Sequence, residues 1–327
     1  MKKILVINFG GIGDEILFLP TLISLKKEFP NSEITLALES RSKAICDLTN
    51  IIDKTIFVDI KTKNKYIELS KLILKSWFGK YNIVISSGAS KFISIILFLT
   101  GIQKRYGYDT GNLSKKLLTK AVKLNKNQYA CKMYHDLITP LTNQVTLLPE
   151  IHIEQAEKEP NTVLIHPGVS KMSIQKGCIK TITPEIWAKT IDILSKSGKK
   201  VILTGGKDDE ECISEIKSLV KEPFIDYFNK TKSLKELAQL INKYEIFLCS
   251  DSCPLHVGVG VGAKTYVIFG PTNYKTLIPE CDNIIPILAN DSCPLKPCLW
   301  EKRMTSCQEL SCLKISAEDI ANKVLEQ

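Results

Sequence analysis

Apolar residues in the first half of the chain alternate between short runs and longer stretches with helical spacing. Short apolar runs bounded by turn residues are typical of buried strands, and longer periodic stretches are typical of amphipathic helices. Strands that alternate with helices predict an α/β protein with a parallel sheet whose two faces are covered. The predicted strands are residues 4–7, 33–38, 55–58 and 83–86, and the predicted helices are residues 14–29, 66–77 and 90–99.

The same alternation restarts after a polar segment, residues 149–162, which contains two prolines and lacks helical periodicity. We therefore predict two domains, residues 1–155 and residues 156–327, joined by this segment. Ligands of open α/β sheets bind at the carboxyl ends of the strands, so the sequence predicts a cleft between two such edges. In the second domain the predicted strands are residues 163–166, 201–204, 246–249 and 266–269, and the predicted helices are residues 184–197, 209–220, 234–241 and 317–325.

The positive charge of the chain is concentrated in its first half. Residues 1–155 hold 22 Lys and Arg against 13 Asp and Glu, whereas residues 156–327 hold 22 of each. This asymmetry indicates an anionic partner for the first half, such as a membrane face or a phosphorylated substrate, although a solubilising lysine surface would give the same pattern. No nucleic-acid-binding motif accompanies the lysines, so nucleic acid is not expected as a partner.

Two further features concern the compartment of the protein. The longest apolar stretch, residues 92–102, is shorter than the ~20 residues that a membrane-spanning helix needs, and we interpret it as a buried helix. Eleven cysteines without a recognisable signal peptide favour free thiols in a reducing cytosol. We therefore expect a cytoplasmic protein.

A glycine turn followed by two acids stands at the end of the first strand, in the segment NFGGIGDEILFLP. A dinucleotide-binding fingerprint requires three glycines, but Ile16 occupies the third position, so an oxidoreductase matches poorly. Asp14 and Glu15 would also repel a phosphate, so a phosphate-binding turn matches poorly. One interpretation of Asp14 is an ordinary helix cap.

Four motifs follow strands of the second half, where parallel strand ends meet at one edge. Glycines there permit a close approach of the backbone, and the amides that open a helix can bind an anion. Each motif alone is weak, but four at successive strand ends predict one phosphate-binding site. They are His166-Pro167-Gly168, Thr204-Gly205-Gly206, the segment SDSCPLH over residues 250–256, and Phe269-Gly270-Pro271-Thr272.

Together these motifs resemble glycosyltransferase family 9, the bacterial heptosyltransferases that extend the lipopolysaccharide core. The segments GGIGDEILFLPTL, IKTITPEIW and SDSCPLHVGVGVGAKTYVIFGPT carry the resemblance. It implies a GT-B fold, with two Rossmann-like parallel-sheet domains facing across a cleft, the first for the acceptor and the second for the nucleotide-sugar. It also implies inverting transfer from an ADP-activated heptose to a lipopolysaccharide-core or related glycan near the inner membrane face, without a catalytic metal or other cofactor.

The resemblance assigns roles to single residues. It implies that Asp14 is the catalytic base, that Lys180 binds phosphate, and that Glu210 contacts ribose. Lys176 competes with Lys180 for its role, and Glu210 could equally be an ordinary exposed acid of a first helical turn. The remaining candidates are Asp251, Ser252, Cys253, His256, Gly270 and Thr272 on the donor side, and Gly11, Gly13 and Arg105 on the acceptor side. His256 could either hold the phosphate loop or fill the core.

Two departures from the family pattern leave a second interpretation open. Cys253 stands where the family has a glycine in the phosphate loop, SDSCPLH. Ile182 stands where the family has an aromatic residue in the lysine motif, the segment IKTITPEIW that contains Lys180. A nucleotide-binding protein that uses another donor sugar, or that has lost catalysis, would fit these changes. Four late cysteines, Cys293, Cys298, Cys307 and Cys312, could bind a structural zinc ion, but their spacing favours reduced thiols.

Overall fold

The computed structural model describes residues 1–169, 171–175, 177–289, 293–299, 307 and 309–326. The chain forms two compact units, Met1–His152 and Ile153–Gln327. The boundary lies inside the predicted connecting segment, residues 149–162. The last four residues of that segment belong to a strand, because strand pairing begins at Glu159.

The first unit contains a six-stranded parallel sheet with the order β3-β2-β1-β4-β5-β6. Its strands are β1 (Lys3–Ile7), β2 (Glu33–Leu38), β3 (Lys54–Phe57), β4 (Ile83–Ser86), β5 (Lys104–Tyr108) and β6 (Lys120–Val122). Its helices are α1 (Ile12–Glu28), α2 (Lys65–Gly79), α3 (Lys91–Leu99), α4 (Asn112–Leu117) and α5 (Ala130–His135), with 3-10 turns at Ser40–Asp47 and Asp136–Ile138. All strand pairs are parallel, so the carboxyl ends of the strands share one edge.

The second unit repeats this architecture within its described residues, with the strand order β12-β11-β10-β7-β8-β9. Its strands are β7 (Glu159–His166), β8 (Lys200–Gly205), β9 (Ile225–Phe228), β10 (Tyr244–Ser250), β11 (Lys264–Phe269) and β12 (Ile284–Leu288). Its helices are α6 (Lys171–Gln175), α7 (Pro184–Lys196), α8 (Glu210–Leu219), α9 (Leu234–Lys243), α10 (Cys253–Gly260), α11 (Tyr274–Leu277) and α12 (Ala317–Leu325). The predicted fold class, two Rossmann-like parallel sheets with flanking helices, is confirmed.

Local signals fix the ends of several helices. Pro184 is the first residue of α7, where its missing N–H costs nothing, and Gly198 beyond its end has a φ of 85°. The hydroxyl of Ser316 accepts a hydrogen bond from the amide of Asp319 at 3.0 Å and caps α12. The fully buried Trp187 of α7 then packs into the core of the second unit.

Helix α10 resolves an ambiguous segment. Its sequence CPLHVGVG alternates valine and glycine like a strand, yet the structure is helical. A Cβ atom at Gly258 would lie 2.9 Å from both Phe247 Cδ1 and Thr265 Oγ1. Glycine is therefore needed at residue 258 because this helix lies very close to β10 and β11.

The prediction that residues 92–102 form a buried helix is wrong. Only Ser94 and Leu97 of α3 are buried, whereas Phe92 and Phe98 are 72% and 50% exposed. One side of α3 packs on the sheet, and the opposite side faces outward although it is also apolar. No helix in the described ranges is long and apolar enough to cross a membrane.

Candidate active site

The glycine turn after β1 presents Asp14 to solvent. Helix α1 begins directly after Gly11, and the Gly11 amide donates a hydrogen bond to Asp14 Oδ2 at 2.8 Å. The turn passes so close to this side chain that a Cβ at Gly10 would lie 2.3 Å from Asp14 Cβ. Asp14 is exposed, and Gly13 beside it is half-buried. The carboxylate is thus fixed by the turn while remaining accessible to a hydroxyl.

Glu15, the second acid of the motif, has the opposite environment. It is 1% exposed, and Asn8 Nδ2 donates a hydrogen bond to its Oε2 at 3.0 Å. Burial raises the pKa of Glu15 to about 8, with the charges of Asp14 and Glu39 adding to the shift and the Asn8 bond opposing it. Glu15 is therefore mainly uncharged at neutral pH. Glu15 therefore does not add the repulsive charge that was expected from the sequence.

Residues after β2 brace the turn from its other side. Ser42 Oγ donates a hydrogen bond to the Gly10 carbonyl at 3.0 Å, and Arg41 Nη2 donates to the same oxygen at 3.3 Å. Arg41 also forms an ion pair with Glu39, which is 2% exposed. Sequence reasoning missed Glu39, Arg41 and Ser42, although polar residues directly after a buried strand are a usable signal.

Arg105 does not lie with these groups. Arg105 is the second residue of β5 and pairs with Val84 of β4, which pairs with Leu5 in the middle of β1. It therefore lies away from the carboxyl ends of the strands. Its guanidinium donates hydrogen bonds to the carbonyls of Leu117 and Ile102, each at 2.6 Å. Its assignment to the acceptor remains a prediction that these contacts do not favour.

In the second unit, three residues that were predicted to bind the nucleotide-sugar meet at one atom, Oδ2 of Asp251. Thr272 Oγ1 donates a hydrogen bond to Asp251 Oδ2 at 2.7 Å, and Lys180 Nζ lies 3.5 Å from the same oxygen. Asp251 follows β10, Thr272 follows β11, and Lys180 lies in the segment before α7. The Lys180 and Asp251 side chains are only 12% and 3% exposed. The competing Lys176 lies outside the described residues.

The segment after β10 leads directly into α10. Ser252 is the N-cap residue, and its hydroxyl donates a hydrogen bond to the Gly168 carbonyl at 3.1 Å. Cys253 is the first residue of the helix, and His256 is buried in its second turn. Pro254 has no amide N–H, and the Leu255 amide donates a hydrogen bond to the Ser252 carbonyl at 3.1 Å. The start of the helix carries the positive end of its dipole. An anion can therefore bind at the start of α10.

Hydroxyl groups tie the lysine motif to the strand ends. Ser250 Oγ and Thr181 Oγ1 each donate a hydrogen bond to the Pro167 carbonyl at 2.8 Å. The indole Nε1 of Trp187 in turn donates to Thr181 Oγ1 at 3.1 Å. Ile182 is 2% exposed and belongs to the hydrophobic core. The departure at residue 182 therefore changes the core packing.

Asp209, the neighbour of the predicted Glu210, lies at the ends of strands β7 and β8. It is buried, accepts a hydrogen bond from the Gly206 amide at 2.8 Å, and lies 3.7 Å from His166 Nε2. Burial lowers the pKa of His166, and the charge of Asp209 opposes this shift. Glu210 is exposed at the start of α8. A contact between Glu210 and ribose remains a prediction.

Two stretches near the end of the chain, at residues 298–299 and 312–313, pack against the turn after β11. A Cβ at Gly270 would lie 2.5 Å from Leu313 Cδ2, so glycine makes room for the second of these stretches. The amides of Cys298 and Leu299 donate hydrogen bonds to the Pro271 carbonyl at 3.0 and 3.2 Å. None of the eleven cysteines forms a disulfide, and the described residues include no group of three His, Cys, Asp or Glu that could hold a metal ion. The preference for reduced thiols over zinc remains a prediction.

A sequence model of glycosyltransferase family 9 (heptosyltransferase) matches residues 74–306, well over half of the chain. The chain belongs to glycosyltransferase family 9. The resemblance inferred from the motifs is thereby confirmed, and the oxidoreductase alternative is excluded. Lys180, Asp251 and Thr272 of this glycosyltransferase lie inside the matched range, whereas Asp14 precedes it.

Similar proteins agree with the family assignment. Lipopolysaccharide heptosyltransferase 3 of Escherichia coli is 25% identical to this glycosyltransferase over 303 residues, covering 85% of this chain and 86% of that protein. The family 9 glycosyl transferase from Veillonella parvula has a TM-score of 0.78 at 23% identity, covering 100% and 98% of the two chains. E. coli heptosyltransferase WaaC with ADP-2-deoxy-2-fluoro heptose has a TM-score of 0.74 at 15% identity, covering 99% of each chain. These structures support the GT-B type of fold.

Proposed function

We propose that this glycosyltransferase moves heptose from ADP-heptose to a lipopolysaccharide-core or related glycan, with inversion and without a catalytic metal. The activity named for the E. coli relative and the nucleotide-sugar named with WaaC support the donor and acceptor classes. The family resemblance of the glycine, lysine and Asp-Ser motifs supports inversion and metal independence. The first unit would bind the acceptor, and the second would bind the donor.

Lys180 and the start of α10 are proposed to bind the diphosphate of the donor. The Lys180 ammonium lies 3.5 Å from Asp251, which holds it at the carboxyl edge of the second sheet. As the sugar leaves, negative charge builds up on the diphosphate, and a fixed cation with helix amides stabilises that charge. Cys253 would contribute through its backbone amide, for which a cysteine serves as well as a glycine if the side chain points away from the phosphate.

Asp14 is proposed to be the general base, and its environment is the observation that carries the proposal. Its carboxylate is exposed, and the Gly11 amide holds one oxygen at 2.8 Å. The acceptor hydroxyl would lose its proton to Asp14 while its oxygen attacks the anomeric carbon and the bond to ADP breaks. A well-placed base contributes ~10²- to 10⁴-fold to such a step.

The acceptor is proposed to be an anionic glycolipid, which places the enzyme in the cytoplasm at the inner membrane face. The surplus of basic residues in the first half supports an anionic acceptor. Nucleic acid is not part of the proposal.

The substitution Asp14→Asn tests the role of the base. We expect kcat for transfer to fall at least 100-fold, because asparagine cannot accept the proton, while calorimetry gives an unchanged Kd for ADP. The exposed Asp47 of the same unit offers a matched control, Asp47→Asn, which should retain full activity. If Asp14→Asn keeps its activity, the base lies elsewhere.

A panel of nucleotide-sugars with one lipid-A-type acceptor tests the donor. ADP-heptose should be used in preference to UDP-sugars and GDP-sugars. Tight ADP binding without transfer from any donor would instead support a binding protein that has lost catalysis.

A further inference from the structure

Helices α2 and α3 expose a row of large apolar side chains. Phe78 and Phe92 are 82% and 72% exposed, although aromatic residues normally bury most of their surface. We call this surface the α2–α3 face. It consists of Tyr66, Ile67, Leu74, Trp77 and Phe78 from α2 and of Phe92, Phe98 and Leu99 from α3.

The two helices form one continuous surface. Trp77 Nε1 of α2 donates a hydrogen bond to the Leu99 carbonyl of α3 at 2.8 Å. The Arg105 guanidinium lies 5.5 Å from the centre of the Phe98 ring, and α3 also packs on α4. Helices α2 and α3 are therefore in contact, and the exposed Trp77 and Leu99 are neighbours across them. A contiguous exposed apolar surface of this kind marks an interaction site more often than isolated exposed residues do.

The segment that carries this face also carries the positive charge of the whole protein. Residues 61–120 contain twelve Lys and Arg but only Glu68 and Asp109 as acids, and the net charge of the complete chain is +9. The net charge of the remaining residues is thus close to zero. Basic residues on α2, α3, β5 and α4 accompany the apolar ones, and the exposed ones are Lys65, Lys71, Lys75, Lys91, Lys104, Lys115 and Lys116.

We propose that the α2–α3 face binds the surface of an anionic phospholipid bilayer. The aromatic rings would enter the headgroup region, where Trp and Tyr are favoured, and the lysines would contact lipid phosphates. Since a helix rises 1.5 Å per residue, α2 and α3 are too short to cross a hydrocarbon core of ~30 Å. The helices would therefore lie on the membrane. This inference deepens the proposed function by naming the surface that meets the membrane of a lipid-linked acceptor.

The charge of the face argues against other occupants. A second copy of the chain would place two strongly basic segments against each other, which opposes a symmetric dimer through this face. A nucleic acid would pair with the lysines but would leave Ile67, Leu74 and Leu99 in water. An anionic bilayer offers phosphates to the basic residues and an apolar environment to the apolar ones.

Flotation with lipid vesicles that contain no glycolipid tests the proposal apart from the acceptor. The full-length protein should bind vesicles of phosphatidylcholine with phosphatidylglycerol, bind pure phosphatidylcholine at least 10-fold more weakly, and dissociate at high salt. The triple variant Trp77→Ser, Phe78→Ser, Phe92→Ser should lose at least 10-fold in affinity for the anionic vesicles. The variant Lys65→Glu, Lys75→Glu, Lys91→Glu should lose as much.

Matched controls separate binding through this face from non-specific binding by other exposed apolar residues. Val145 and Leu148 are also exposed, at 65% and 47%, but their loop is bonded to α1 through Thr146. The variant Val145→Ser, Leu148→Ser should bind vesicles like the wild type. Trp77 emission should shift to shorter wavelength on anionic vesicles, and Trp77→Phe should remove that shift.

Two results would overturn the proposal. One is vesicle binding that the face variants do not weaken. The other is the absence of vesicle binding, and a wild-type dimer that the triple serine variant dissociates, measured by light scattering, would then assign the face to a second copy of the chain. Because the vesicles carry no acceptor and no donor, failed vesicle binding with intact sugar transfer rejects the membrane surface alone. Vesicle binding without any transfer rejects only the proposed function.

Discussion

At the scale of single residues, Asp14 and Glu15 show how adjacent acids acquire different chemistry. Asp14 points outward from the first turn of α1 and keeps its carboxylate in solvent. Glu15 points inward, where burial raises its pKa to about 8. Its Oε1 atom is buried without a hydrogen-bond partner among the described residues. A proton on Glu15 removes a charge that would otherwise repel both Asp14 and an anionic substrate.

The substitution Glu15→Gln should stabilise the protein increasingly as the pH rises. The pKa of Glu15 is about 8 in the folded state and near 4.5 when unfolded. Between these values the folded state binds more protons, so wild-type stability falls as the pH rises, while glutamine does not titrate. The difference in unfolding free energy should grow by up to ~1.4 kcal/mol per pH unit from pH 5 to 8 and then level off.

Urea denaturation at several pH values measures this difference. Glu150 is exposed, so Glu150→Gln is a matched control whose stability should follow that of the wild type. A pH-independent difference for Glu15→Gln would mean that Glu15 is ionised in the folded protein.

Part of the site follows from local sequence, and part depends on tertiary contacts. Asp14, Asp251 and Thr272 each lie in the turn or the first helical turn that follows a strand, so topology alone brings each to a carboxyl edge. Sequence analysis named Glu210 and did not identify the buried Asp209 beside it, because only the fold decides which of two adjacent side chains points inward. The burial of Glu15 could not be predicted from the sequence for the same reason.

At the scale of secondary-structure elements, apolar content misled the prediction for α3. A helix that is apolar all round is usually buried, but α3 packs only one side on the sheet. Strands β5, β6, β9 and β12 were not predicted. Strands β6 and β9 lie at sheet edges, and β5 begins with Lys-Arg, so their sequences lack the continuous apolar run of a central strand. The edge strand β12 is apolar but contains Pro286, which does not favour a strand.

Helix α10 gives the prediction that belongs to this scale. In a free helix Gly258→Ala would be favourable by ~1 kcal/mol. Here the new methyl group would meet Phe247 and Thr265 at 2.9 Å, and overpacking of this kind costs ~1–3 kcal/mol. We expect a net loss of stability and, because α10 begins at the proposed phosphate site, a weaker ADP affinity. Thermal unfolding and calorimetry measure the two effects, and an unchanged or raised Tm would show that α10 can move away from the sheet.

At the scale of the whole molecule, the two units share one architecture but differ in charge. Composition predicted this difference, since only residues 1–155 have a basic surplus. The sequence did not reveal that the surplus coincides with exposed aromatic residues, because that depends on which side of α2 and α3 packs on the sheet.

Ionic strength should therefore affect the two substrates differently. The KM for an anionic acceptor should rise several-fold between ~0.01 and ~0.15 M salt, as the Debye length falls from ~30 to ~8 Å. The KM for the donor should change less, because residues 156–327 have no net charge and act on it mainly by short-range contacts. Steady-state kinetics with each substrate varied in turn measures both. Equal salt sensitivity would mean that the surplus charge does not attract the acceptor.

The concentration of basic residues in positions 61–120 also bears on how the molecule approaches a negatively charged layer. A particle with evenly spread charge is drawn inward but tumbles freely, whereas one with its charge on one flank experiences a torque. The enzyme would therefore arrive already turned, with α2 and α3 leading, before any side chain touches lipid. Most encounters would then begin in a usable orientation.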